Sequence, residues 1–241
     1  GYYEDAVRIN FLSREQYDKF CVEVGRIYKC RSIKKKKYYK AYRILVERDI
    51  IVPNLSLEKF MRLKSARSSS GVNVITIFTS GKLMGQDDND IEDIKIKTGG
   101  CPMDCHYCPF EKDKDGNPTQ PRSYLSTEPG NMRATQNKHH PVTQTLARLY
   151  QLELMGHISP KGQTPTKCEF IISGGTFNFY PLKYIEWFVR CMYYACNIYY
   201  EWRDVYKTGK LFSLEKEKKI NETTSIRVIG LTIETRPDYV T

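Results

Sequence analysis

Three apolar, β-branched runs alternate with two helical patterns along this chain, and that alternation limits the fold more than any other feature. The runs are "VNVITIF" (72–78), "CEFIIS" (168–173) and "SIRVIGLTIE" (225–234). Between the first two lies "PVTQTLARLYQLELMGH", with Val142, Leu146, Leu149 and Leu152 at helical spacing. Between the last two lies "PLKYIEWFVRCMYYACNIYY", a strongly apolar helical pattern with Pro181 placed for its first turn. Strands separated by helices cannot be hairpins, so they pair in parallel through crossovers. The fold class is therefore α/β with a parallel sheet. The second and third runs read as buried strands. No internal sequence repeat accompanies the alternation.

Ahead of this pattern, residues 1–63 read as a separate helical, basic region, and 64–241 as the α/β domain. Ser13 and Gln16 fit a capping box before "YDKFCVEV", Ser32 is placed to cap a second helix, "IKKKKYYKAYRILVERD", and Pro53 with Asn54 breaks the pattern. "IKIKTGG" reads as a further short strand, 85–93 as an acidic loop, and 111–140 as a long polar segment without regular structure. The chain starts without Met and stops directly after a strand-like run, so it reads as a fragment cut at both ends.

A hydrophobic content of 40% fits a globular chain rather than a disordered one. No apolar run approaches the roughly 20 residues of a membrane span, and no signal-peptide pattern is visible. The net charge of +10 favours a polyanionic partner, with nucleic acid foremost. Its best candidate contacts are Arg31, Lys34, Lys35, Lys36, Lys37, Lys40 and Arg43, interleaved with Tyr38, Tyr39 and Tyr42, which could stack on unpaired bases. The plainer reading is a solvated helix face for the lysines, with core packing for most tyrosines.

Five of the eight cysteines are scattered; Cys168, Cys191 and Cys196 lie in apolar patterns and read as buried reduced thiols, which suits the cytosol. The other three, Cys101, Cys105 and Cys108, fall within eight residues in "CPMDCHYC". Three thiolates can hold three irons of a cubane cluster and leave the fourth iron open to chelate an amino and a carboxylate group. A closed zinc site needs four ligands. His106 or a distant cysteine would have to supply the fourth, and His106 is too close to Cys105 for easy joint ligation. Both readings stand on the residues alone. His139 and His140 read as surface residues.

The C-x3-C-x2-C spacing, with Tyr107 before the last cysteine, resembles the radical S-adenosylmethionine superfamily. Its flanks narrow the resemblance: "KSARSSSGVNVITIF", "SYLSTEPGNMRA", "QTLARLYQLELMGH", "KCEFIISGGTF" and "GLTIETRPDY", from Lys64 to Tyr239, resemble the Elongator catalytic subunit family. That resemblance implies a truncated partial TIM-type (β/α) barrel of the radical S-adenosylmethionine kind, preceded by a tRNA-binding region. It implies a transferase that carboxymethylates carbon 5 of the tRNA wobble uridine. A [4Fe-4S] cluster and S-adenosylmethionine are the implied cofactors, with acetyl-CoA as co-substrate. An adenosyl radical would take hydrogen from the acetyl methyl group, and the resulting carbon radical would add to the uridine. The implied partners are tRNA and Elongator-type subunits or a second copy; the implied setting is cytoplasmic and away from membranes.

Carried over residue by residue, the resemblance makes Cys101, Cys105 and Cys108 the metal ligands. Gly174, Gly175 and Thr176 become cofactor contacts. Lys167 is associated with acetyl-CoA and catalysis, and Glu234 and Arg236 are active-site groups, the acid binding cofactor and the arginine holding a carboxylate. Arg67 and Arg133 join the RNA contacts, and Glu128, Met132 and Arg133 form a segment covering the site. The departures are His139-His140-Pro141 for the family's Tyr-Asp-Pro, Phe110 and Glu111 for glycines, and the acidic loop. Outside this reading stand a zinc-stabilised nucleic-acid-binding module and an inactive scaffold subunit.

Overall fold

A computed structural model describes residues 11–29, 35–81, 98–206 and 209–240. These fall into two compact units. One comprises the described residues up to Gly71 together with Tyr150–Ser159, the other Val72–Leu149 with Pro160–Thr241.

The first unit is helical. In α1 (Arg14–Ile27), Ser13 accepts from the Gln16 amide, and Gln16 Oε1 accepts from Leu12 N at 2.9 Å. The cap thus closes one residue earlier than a capping box would. The helix α2 (Lys35–Glu47) follows; Ser32 lies outside the described residues. Asn54, expected only as a breaker, starts a third helix, α3 (Leu55–Met61), because its Oδ1 accepts from Leu57 N at 3.0 Å. The core joins Tyr17, Tyr39, Tyr42, Leu57 and Met61.

The second unit holds β1 (Val72–Phe78), α4 (Pro129–Gln136), α5 (Pro141–Leu154), β2 (Thr166–Ser173), α6 (Leu182–Asn197), α7 (Trp202–Val205), α8 (Leu214–Asn221) and β3 (Ile226–Ile233). The helix α5 runs on past Leu149, so its last residues group with the first unit. The strands form a parallel sheet in the order β1-β2-β3, with Val72 opposite Lys167 and Thr166 opposite Ile226. Alternation sorts Ile75, Ile77, Cys168, Phe170 and Ile172 onto a fully buried face. There α6 contributes Tyr184, Trp187 and Phe188 to the core, and α8 packs on α6. On β1 the Gln144 side chain takes the place of a strand partner, bonding Phe78 N and Phe78 O at 2.9 Å each.

Several expectations are corrected. β3 is not a buried strand: Ile229 is 53% exposed and Ile233 is exposed as well, because β3 is an edge with only β2 beside it. The polar segment 111–140 contains α4 and an isolated bridge between Lys112 and Pro118. Of "IKIKTGG", residues 94–97 lie outside the described residues, as does the acidic loop, and Thr98–Gly100 is a 3-10 turn. His139 is buried, within reach of Asn131 Oδ1 (3.2 Å), and His140 meets the Trp187 ring edge-on. Among the described residues no helix is long and apolar enough to cross a membrane.

Candidate functional site

Parallel strands bring their C-terminal ends to one edge of the sheet, and open α/β sheets bind ligands at that edge. Here Thr79 and Ser80 follow β1, Gly174-Gly175-Thr176 follows β2 and Glu234 follows β3. The segment leading into the cysteines docks on this edge. Thr176 N donates to Gly100 O (2.7 Å), Arg122 N to Gly99 O (2.9 Å), and Gly175 N to Arg122 O (3.2 Å).

Two glycines make that docking feasible. A Cβ on Gly175 (φ +60°) would stand 2.4 Å from Gly100 O, and one on Gly100 (φ +77°) would stand 1.9 Å from the Tyr180 hydroxyl. The Tyr180 hydroxyl is itself fixed, 2.8 Å from Thr79 Oγ1 and donating to Ser80 O at 2.9 Å. The space beside Gly175 is thus filled by the chain's own cysteine loop.

Two of the three sulfurs meet a side-chain donor. The Thr176 hydroxyl donates to buried Cys101 at 3.1 Å, and Arg236 Nη1 reaches Cys105 at 3.6 Å. Donors of this kind suit thiolates and stabilise charge on sulfur. Cys108 Sγ lies 3.7 Å from the carbonyl oxygen of Pro109. Arg122 is buried, pairs with Asp104 and lies 4.2 Å from the Phe110 ring centroid. Burial works against its charge, but Asp104 and then the nearby Cys108 outweigh it and hold the guanidinium above its ordinary value. Among the described residues no three His, Cys, Asp or Glu side chains converge on one point.

Glu234 and Arg236 do not pair with each other. Glu234 accepts from the Tyr124 phenol and from Ser173 Oγ (2.9 Å). Burial first, and then Glu234, keeps Tyr124 protonated well above the usual phenol range. The Arg236 fork is occupied by Asp238, with both bonds at 3.0 Å, so the carboxylate it holds is two residues away in the same chain. Tyr124 packs edge-on against Phe78 (4.9 Å), and Gly130 in α4 abuts the same ring. That contact fixes the segment bearing Glu128, Met132 and Arg133. Glu128 Oε1 accepts from Leu125 N at 3.2 Å, and Met132 is exposed.

Lys167 is not brought to this edge. It is the second residue of β2 and exposed, six steps before Ser173, so it lies about 20 Å away along the strand. A role at the same reacting atoms as the cysteines is incompatible with that position. Two departures from the family pattern acquire partners: Phe110 carries Arg122, and Glu111 accepts from Ser126 N (3.1 Å) and Ser126 Oγ (3.2 Å). Sequence reading gave no role to Arg122 or Tyr124. Their signal was position alone: Arg122 directly precedes the quoted "SYLSTEPGNMRA", and Tyr124 is its second residue.

The RNA candidates divide. Arg31 and Lys34 lie outside the described residues, and Lys35 and Lys36 begin α2. Lys37, Lys40 and Arg67 are exposed, Arg133 half-buried. Arg43 is only 5% exposed and is engaged by Glu153 (3.2 Å), Glu47 (3.5 Å) and Ile158 O (3.3 Å), so it is no phosphate ligand. Tyr39 and Tyr42 are core residues, with the Tyr42 hydroxyl donating to Glu58 (3.0 Å), and Tyr38 packs on that core; none is a stacking platform for bases.

No protein-family model matches the chain. A tRNA uridine(34) acetyltransferase of Methanocaldococcus infernus is 35% identical over 196 residues, 80% of this chain and 29% of that protein. Elongator complex protein 3 of Mus musculus is 29% identical over 198 residues, again 80% of this chain and 29% of that protein. A solved structure of M. infernus Elp3 with an N-terminal deletion aligns over 71% of this chain and 24% of that one, with 27% identity and a TM-score of 0.40. The chain spans less than a third of the length of the relatives it matches.

Proposed function

Because this chain belongs to the family of the tRNA uridine(34) acetyltransferases and Elongator complex protein 3, we propose that it carries the cluster-binding part of an enzyme modifying the tRNA wobble uridine. In this reading the parallel sheet is the first part of a (β/α) barrel of the radical S-adenosylmethionine kind. Cys101, Cys105 and Cys108 hold three irons of a [4Fe-4S] cluster. One observation carries the reading: the loop bearing the three cysteines docks on the C-terminal edge of the sheet through Thr176 N to Gly100 O and Arg122 N to Gly99 O, and there the Thr176 hydroxyl meets Cys101 and Arg236 meets Cys105.

When bound, such a cluster supplies one electron to S-adenosylmethionine chelated at its open iron. The chain's own residues do the rest. Thr176 and Arg236 hold Cys101 and Cys105 in place, and Arg122 fastens the loop through Asp104 and Gly99 O. Glu234, whose two carboxyl oxygens accept from Tyr124 and Ser173, lies at the same edge, where its remaining lone pairs could accept from a ribose hydroxyl or an ammonium. Gly174 and Gly175 keep the β2 turn close to the loop. The family reaction, acetyl-CoA-dependent carboxymethylation of carbon 5, is the chemistry this site would serve, and tRNA would meet Lys35–Lys37, Lys40, Arg67 and Arg133. Elongator-type subunits or a second copy are the partners proposed by membership.

The test is cofactor cleavage. Anaerobically reconstituted protein given dithionite and S-adenosylmethionine is expected to release 5′-deoxyadenosine, and Cys101→Ala, Cys105→Ala or Cys108→Ala to abolish it. Release that persists in all three variants would overturn the proposal.

A further inference from the structure

We infer that Tyr124 is a positioning residue for Glu234, setting its carboxylate at the C-terminal edge of the sheet as a ready acceptor for the cis-diol of a ribose. The inference rests on the reading above for its ligand, a nucleoside; its geometry comes from the segments that meet at this one carboxylate. Glu234 directly follows β3, where its amide donates to Ile172 O at 3.1 Å and its carbonyl accepts from Phe177 N at 3.3 Å. Ser173, the last residue of β2, donates its hydroxyl to Oε1 at 2.9 Å, and the Tyr124 phenol donates to Oε2. Tyr124 is itself braced. Its ring meets that of Phe78, the last residue of β1, edge-on at 4.9 Å, and Gly130 of α4 closes on the same Phe78 ring, where a Cβ would come within 2.7 Å. The ends of all three strands thus fix one exposed side chain.

An exposed carboxylate is satisfied by water and gains little from being held. Here two neutral donors hold it, and among the described residues no lysine or arginine pairs with it, so its charge is left to whatever reaches the edge. A carboxylate offers about four acceptor sites, two on each oxygen. One on each oxygen is taken by Tyr124 or Ser173, which leaves one on each. Two neighbouring hydroxyls fill such a pair at once, and an acid just beyond a parallel strand is a known partner for ribose hydroxyls. An ammonium would want further acceptors around it, whereas the two groups fixed beside this carboxylate turn their protons towards it. Holding Glu234 in advance moves its loss of rotamer freedom from the binding step to the folding step. That is what the Tyr124 hydroxyl contributes, since its ring would pack on Phe78 without it.

The experiment measures dissociation constants for adenosine, 2′,3′-dideoxyadenosine and methionine by isothermal titration calorimetry, on wild type, Tyr124→Phe, Ser173→Ala and Glu234→Gln. Wild type is expected to bind adenosine more tightly than its dideoxy analogue. Tyr124→Phe is expected to weaken adenosine roughly three- to tenfold and to leave the dideoxy analogue unchanged. Ser173→Ala is expected to act in the same direction, and Glu234→Gln to erase the preference for the diol. A merely structural tyrosine would weaken both nucleosides alike, and that result overturns the inference. A wild type with no adenosine binding or no diol preference overturns it as well. Methionine bound more tightly than adenosine, and lost in Glu234→Gln, would assign the carboxylate to an ammonium and overturn it too. If Tyr124→Phe fails to fold, Ser173→Ala carries the test: a loss confined to adenosine supports the inference, and an unchanged preference overturns it. The cluster reading is judged apart, by cofactor cleavage in the cysteine variants. Cleavage that ignores the cysteines, with the diol preference intact, would overturn that reading and leave this inference standing.

Discussion

At the scale of single residues, the site depends on atoms that are absent. Gly100 and Gly175 have positive φ, and each lacks the Cβ that would collide with its neighbour across the dock. Gly100→Ala would put a methyl into the fixed Tyr180 hydroxyl. Overpacking of this kind costs about 1–3 kcal/mol, and the left-handed backbone adds roughly 1–2 kcal/mol for a residue with Cβ. A clear fall in the urea midpoint is the expected result, and an unchanged midpoint would mean that the loop does not dock as described. Only the glycines after "CEFIIS" were legible as a turn, whereas Gly99 and Gly100 read as the end of a short strand, and that the two pairs pack against each other was not legible, because sequence carries no distance between residues 75 apart. Arg122 was invisible for the same reason, since its partners Asp104, Phe110, Gly99 and Gly175 come together only in the fold.

Among the elements, the strands and the long helices were legible because their periods run for seven residues or more. What failed was local. The α3 helix spans only seven residues, too few turns for a periodic pattern, and Asn54 reads equally as a breaker and a cap. In α2 the lysine run masked an apolar face at Tyr39, Tyr42 and Val46, whose spacing of three and four is that of a helix packed on one side. β3 looked buried because an apolar strand reads alike whether one or both of its edges and faces are covered. The difference is measurable. Phe170→Ala in the central strand is expected to cost about 3–5 kcal/mol, and Ile229→Ala in β3 about 0.5 kcal/mol or less. Comparable losses in equilibrium unfolding would mean that the exposed side of β3 is covered in solution.

For the molecule as a whole, the excess of positive charge is what the proposed contact with tRNA would draw on, but its bearers are fewer than the sequence suggested. Lys37 and Lys40 are exposed, whereas Arg43 is consumed by Glu47 and Glu153. Changing Lys37 and Lys40 to Ala is expected to weaken every tRNA alike and to flatten the log–log salt slope by up to about 0.9 per lost phosphate contact, nearer 0.7 on single strands. Arg43→Ala is expected to leave that slope unchanged while costing about 1.5–3 kcal/mol of stability. A slope that responds to Arg43 and ignores the lysines would reverse this assignment. The central claim is that three cysteines at the C-terminal edge of a parallel sheet hold a cubane cluster with one open iron. Iron and acid-labile sulfide determined after anaerobic reconstitution test it most directly. About four of each per chain, falling sharply in Cys101→Ala, Cys105→Ala and Cys108→Ala, is the predicted result; a colourless protein with one tightly bound zinc and no sulfide would contradict it.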